Sequence, residues 1–157
     1  MTLIERVADR LAITDLLYRY AELIDAGDFD GVGQLLARCA VGAPGSATVT
    51  GTSVITALYT ATTRRYPGPT GDVGTPRTRH LVLNPIVEVG EDTASARSTF
   101  CVVQCTDAVP LQPIVVGRYY DTFGHDDAGW FFTARAMDVE FLGDTSGHLL
   151  IDPRGLS

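Results

Sequence analysis

The chain has 157 residues, 45% hydrophobic and 20% charged, the proportions of one soluble domain spanning 1–157 with a genuine core. Nineteen acidic against twelve basic residues leave a net charge of −7, and the only local basic cluster is Arg64, Arg65, Arg77 and Arg79, so nucleic acid is not an expected partner. No apolar run approaches the ~20 residues that cross a bilayer, and residues 1–6 lack a signal-peptide core, so no membrane partner and a cytoplasmic location are expected.

Residues 5–26 read as an amphipathic helix, with Val7, Leu11, Leu16, Leu17, Tyr20, Leu23 and Ile24 recurring near i, i+3/i+4. Gly27 is a candidate C-cap. Asp28 is a candidate N-cap for a second helix carrying Phe29, Val32, Leu35 and Leu36. Residues 40–50 turn to Gly, Ala, Pro, Ser and Thr and predict loop with at most a short strand. A third helix is predicted from Thr52 or Ser53 through Tyr66, where Pro67-Gly68-Pro69 stops it. Residues 67–77, with three prolines and three glycines, read as a surface loop.

The remainder reads as strands. Arg79–Val89 and Thr93–Cys105 flank Gly90-Glu91-Asp92, and Ile114–Phe123 and Trp130–Phe141 flank a second turn at 124–129. The segment after Phe141 is polar but contains Leu149, Leu150 and Ile151, so it is expected to fold back onto the sheet. Three helices followed by an antiparallel meander define an α+β fold with helices on one face of the sheet. A twisted sheet curled around an amphipathic helix makes a cone with a cavity, a natural small-molecule site.

The chemistry centres on Asp25, near the end of the first helix, and His80, at the head of the first long strand. A buried carboxylate fixes an imidazole tautomer and stabilises its protonated form, which suits proton abstraction. Asp25 also sits beside the helix's negative end, where a carboxylate is unfavourable by roughly 0.3–1 kcal/mol unless a cation compensates. The plainer readings are a backbone-bonded structural histidine and an ordinary helix-end aspartate. Tyr20 shares a stripe with Leu16, Leu17 and Ile24, so it is either core or a pocket hydroxyl. Tyr119 alternates with Val115 and Gly117 and can line the cavity, as can Met137. Arg135 stands in an otherwise apolar strand; it either reaches solvent along its stem or neutralises an anionic leaving group or enolate. Cys39, Cys101 and Cys105 form no CxxC, and with His80, His125 and His148 they offer no metal-ligand spacing. No metal or other cofactor is expected.

Four stretches carry a resemblance: 12–30, Thr78-Arg79-His80-Leu81-Val82-Leu83-Asn84-Pro85, 117–123 and 143–149. They resemble the SnoaL-like branch of the nuclear-transport-factor-2-like superfamily, over essentially the whole chain. The resemblance implies a cystatin-like, cone-shaped α+β barrel and a homodimer or homotrimer formed through the sheet face. Within the superfamily the pattern is most similar to hexachlorocyclohexane dehydrochlorinase, scytalone dehydratase and bile-acid 7α-dehydratase. It implies catalytic roles for Asp25 and His80, with Asn84 four residues beyond the histidine, and pocket roles for Tyr20 and Arg135. The lysine of the dehydrochlorinase is replaced by Tyr20, and Cys105 falls near the second histidine of scytalone dehydratase.

Two functions follow. One is a cofactor-free lyase or isomerase of the dehydratase or dehydrohalogenase type, acting on a hydrophobic cyclic substrate. The other is a non-catalytic ligand-binding or assembly module of the same fold. Epoxide hydrolysis would need an Asp–Arg–Asp set that the sequence does not assemble.

Overall fold

The computed structural model of the protein describes residues 2–153; the expected domain bounds at 1 and 157 lie outside them. Helix α1 runs Leu3–Ala26, opened by a capping box in which Thr2 and Glu5 bond each other's backbone. Gly27 closes it in the left-handed region (φ 73°), and Asp28 caps α2, Phe29–Leu35, by accepting from the Gly31 N–H. Strand β1 (Ala40–Gly42) precedes α3 (Thr52–Thr62), and four long strands follow: β2 Thr78–Val89, β3 Thr93–Gln104, β4 Gln112–Asp126 and β5 Gly129–Leu142.

The five strands form one sheet in the order β1-β5-β4-β3-β2. The long strands pair antiparallel, and β1 adds to β5 in parallel. Helix α1 packs across β2, while α2 and α3 pack on each other. This is the expected cone-shaped α+β arrangement of helices on a curved, mostly antiparallel sheet. Four register shifts, between Leu83 and Ile86 in β2, at Val102/Val103 in β3, and at Val116/Gly117 and Thr122/Phe123 in β4, accompany the curvature. A bulge increases local twist and re-aims the side chains beyond it.

Several local expectations need correction. The third helix ends at Thr62, not Tyr66, because Thr63 turns extended and bridges to Leu149, while Tyr66 bridges to Thr75. Non-local pairing there outcompetes the helical pattern. Val7 and Leu11 do not join the core; they are 50% and 62% exposed, and the buried stripe is Ile13, Leu17, Tyr20, Ala21 and Ile24. The first turns of α1 touch the sheet through the Trp130 indole N–H, which donates to Asp9. The terminal segment does fold back: Leu150 N–H donates to the Thr62 carbonyl and Gly143 N–H to that of Ile114.

Candidate active site

Two elements bring Asp25 and His80 together. Asp25 projects from the last turn of α1 towards β2, where Thr78, His80 and Val82 share the inner face. One carboxylate oxygen of Asp25 accepts from the Thr78 hydroxyl at 2.8 Å and lies 2.7 Å from His80 Nδ1; the other accepts from the His80 backbone N–H at 2.8 Å. An ionised carboxylate only accepts, so Nδ1 carries the proton and the neutral ring keeps its lone pair on Nε2. Burial alone would raise the Asp25 pKa. The bonds and charge of His80, with the Thr78 hydroxyl, outweigh it and hold Asp25 below the usual carboxylate value. Both side chains are nearly buried, at 7% exposure for His80 and 10% for Asp25.

Asn84 has a different job from the pair. It takes φ 51° at the β2 bulge, a left-handed conformation that Asn tolerates better than most residues. Beyond it the inward positions change parity, from Thr78, His80 and Val82 to Val87 and Val89. The His-x-x-x-Asn spacing therefore marks where the strand bends.

The other expected residues form a layer behind His80. The Tyr20 ring meets that of His80 edge-on at 6.4 Å and that of Tyr119 at 6.0 Å. Met137 stands opposite Tyr119 across the β4–β5 ladder and packs on the core. Arg135 does not reach solvent. It is 1% exposed, and Asp121 grips it with two bonds, from Nε at 2.7 Å and from a terminal nitrogen at 2.9 Å. Its guanidinium lies 4.2 Å from the ring centres of both Tyr20 and Tyr119 and 4.8 Å from that of Phe132. The remaining terminal nitrogen has no partner. Burial opposes the Arg135 charge, yet Asp121 raises its pKa overall, so the cation persists. Burial also raises the phenol pKa values of Tyr20, Tyr59 and Tyr119, keeping all three protonated at neutral pH; the Tyr20 and Tyr59 hydroxyls share a 2.8 Å bond.

This packing changes where open space lies. Tyr20, Tyr119 and Arg135 fill the cone's interior. A groove of about 600 Å³ reaches the pair instead from the edge between α1 and β2, past Tyr18, Glu22, Thr75 and Arg79. None of Tyr20, Tyr119, Arg135 or Met137 lines it.

Asp121 escaped the sequence reading, although alternation through Val115, Gly117 and Tyr119 points to it as the next inward residue. The Thr122/Phe123 shift obscures its partner: Phe132 and Arg135 both face inward although three residues apart. Tyr59 follows Ile55 by one turn on the buried face of α3, a signal that was available, whereas the burial of His148 outside any strand or long helix left none. Among the described residues no group of three or more His, Cys, Asp or Glu is placed to hold a metal, and the three cysteines are free thiols. Burial pushes the Cys39 thiol up to about 12, which makes it a packing residue rather than a nucleophile.

Comparison with known proteins agrees with this fold. The chain belongs to the SnoaL-like domain family, whose profile matches residues 5–136. It is similar to a nuclear-transport-factor-2-like protein of cystatin-like fold from Novosphingobium aromaticivorans, at 27% identity and TM-score 0.70 over 87% of this chain and 84% of that one. A scytalone dehydratase candidate from the same organism shares the fold at 21% identity and TM-score 0.69, over 91% of each chain. So does the association domain of the C. elegans kinase CaMKII, at 13% identity and TM-score 0.64, over 83% of this chain and 95% of that one. No curated protein matches significantly. No helix among the described residues is long and apolar enough to cross a membrane.

Proposed function

We propose that this protein is a cofactor-free lyase or isomerase that removes a proton from a hydrophobic, cyclic small molecule. His80 is the base and Asp25 its orienting partner. The proton leaves a carbon adjacent to an activating group or β to a leaving group. It passes to Nε2, and the resulting imidazolium is stabilised by the carboxylate 2.7 Å from Nδ1. Charge developing on the substrate faces the protonated Tyr20 and Tyr119 hydroxyls and the unpaired terminal nitrogen of Arg135, with Met137 completing the apolar wall. Reaching that wall requires the Tyr20 layer to part, since the groove stops at His80.

The observation that carries this reading is the triply bonded Asp25 carboxylate. A helix-end aspartate needs no such clasp for packing, whereas one that must hold a histidine in a single tautomer does. The test is incubation with a panel of cyclic alcohols, ketones and halides, followed by product detection. His80→Ala should lower turnover about 10²–10⁴-fold and Asp25→Asn by less. A fully active His80→Ala protein would overturn the reading, as would chelator inhibition reversed by added metal.

The assembly reading has one observation of its own. Leu81, Cys101, Val116 and Phe141 align across β2, β3, β4 and β5 in register, a row of apolar side chains on the strands' outward positions. Leu81 is 42% and Phe141 67% exposed. That row favours a homodimer or homotrimer through the sheet face, an arrangement compatible with catalysis as well as with an association role. Light scattering on the protein and on Phe141→Glu checks it: loss of the oligomer is expected, and a monomeric parent would remove the proposal.

A further inference from the structure

His148 belongs to no strand or long helix, yet the fold fixes it tightly. Its carbonyl accepts from the Arg64 N–H at 2.7 Å, and the preceding Gly147 carbonyl accepts from both the Tyr66 hydroxyl and Gln104 Nε2. The next residue, Leu149, bridges to Thr63. Four anchors on two separate segments, 63–66 and Gln104 of β3, hold one imidazole beside the Asp25–His80 pair. The two histidine rings lie 6.1 Å apart at 64°.

Those anchors all act on backbone. The ring itself is 94% buried by its 6% exposure, and its Nδ1 has no hydrogen-bond partner. Packing alone does not account for that, because a phenyl or leucyl side chain would fill the space without burying a polar nitrogen. Of the charged and titratable groups around it, His80 and Asp25 act on it most. Burial first and the His80 charge second depress its pKa to about 4, against a smaller opposing effect of Asp25, so the ring is neutral when His80 is poised to work.

We propose that His148 is the second imidazole of the site, a neutral hydrogen-bond group that presents Nδ1 to an oxygen of the substrate while His80 takes the carbon-bound proton. The proposal rests on the reading of Asp25–His80 given above and narrows its substrate class to compounds with a carbonyl or hydroxyl oxygen near the acidic C–H. His148 donates a hydrogen bond and keeps its proton; full transfer from a neutral ring would leave an imidazolate. A neutral donor suits a developing enolate oxygen, since it stabilises the charge without protonating the intermediate. His148 is then a substrate contact, and residues 143–150 are part of the site rather than a trailing end.

The test uses the full-length protein labelled with ¹⁵N and para-nitrophenol as the probe, a flat ring bearing one hydroxyl. Imidazole nitrogen spectra are recorded through the titration. The expected result is that His148 Nδ1 and the His80 nitrogens shift together along one binding curve. His148→Phe should bind the probe about tenfold more weakly. His148→Asn, whose amide sets a polar atom near the Nδ1 position, should bind close to the parent. Shifts at His80 with none at His148 would overturn this proposal and leave the Asp25–His80 reading standing. Equal weakening in the Phe and Asn variants would also overturn it, reducing His148 to packing. Shifts at neither histidine would count against both readings. The wild-type spectra decide the matter even if a variant fails to fold.

Discussion

Two carboxylate–cation pairs share the Tyr20 ring as a neighbour, and they solve opposite problems. Asp121 and Arg135 are sealed: both side chains are 0% exposed, the contact is bidentate, and aromatic rings surround the guanidinium. Arginine stays charged at any ordinary pH, so a buried one demands a permanent counter-charge. Asp25 and His80 lie at the groove, and their cation exists only when a proton is bound. The first pair holds charge in place; the second can move it. In the proposed function the chemistry falls to the pair nearer the surface, and Arg135, despite its odd position in an apolar strand, is first of all a member of the core.

The largest effect should come from breaking the sealed pair. Asp121→Ala leaves an uncompensated buried guanidinium, and chemical denaturation should show a loss of about 3–5 kcal/mol. Replacing both partners, Asp121→Leu with Arg135→Met, should recover most of that. If the single variant is as stable as the parent, the two pairs do not differ as described.

Acid sharpens the comparison from the other side. The His148 pKa lies at about 4 in the folded state against 6.5 for the ordinary residue, so the unfolded chain binds the extra proton. Stability is therefore full above pH 6.5 and falls as pH drops from 6.5 towards 4, by up to about 3 kcal/mol at ~1.4 kcal/mol per unit. Asp25 has a depressed pKa; its contribution is present above the ordinary 3.8 and is lost only as pH falls through the lower folded value. Urea midpoints across pH should show two separate losses, the first absent in His148→Phe and the second reduced in Asp25→Asn. One merged transition in every variant would contradict the assignment.

Thr78→Val removes a bond to the Asp25 carboxylate while nearly conserving shape, and should cost about 1.5–3 kcal/mol, as charge-assisted bonds do. The smallest effect is Gly27→Ala. An added Cβ would sit 2.7 Å from the Gly74 carbonyl oxygen at φ 73°, a strain of roughly 1–2 kcal/mol in a thermal melt. Because Gly27 ends the helix turn that carries Asp25, the same variant should lower activity more than its stability loss explains.

Element identity was largely legible in the chain. Capping by Gly27 and Asp28 and the alternation along β2 to β5 are local, so short stretches determine them. Asp25 and His80 were readable for the same reason, each sitting at the terminus of an element whose end is marked. What local pattern does not carry is register across bulges and pairing between distant segments. The Thr122/Phe123 shift turned Arg135 onto Asp121, and the Thr63–Leu149 bridge both shortened α3 and brought His148 beside His80. Neither depends on a residue's neighbours in the chain. Periodicity and capping are short-range, so the helices, the meander and the two candidate residues of the pair can be read from the chain alone. Tertiary contacts alone settle that Arg135 is neutralised, that Tyr20 and Tyr119 close the cone's interior, and that a second imidazole lies beside His80. Those outcomes depend on which charges and rings share a desolvated space, and that space exists only once the sheet has curled.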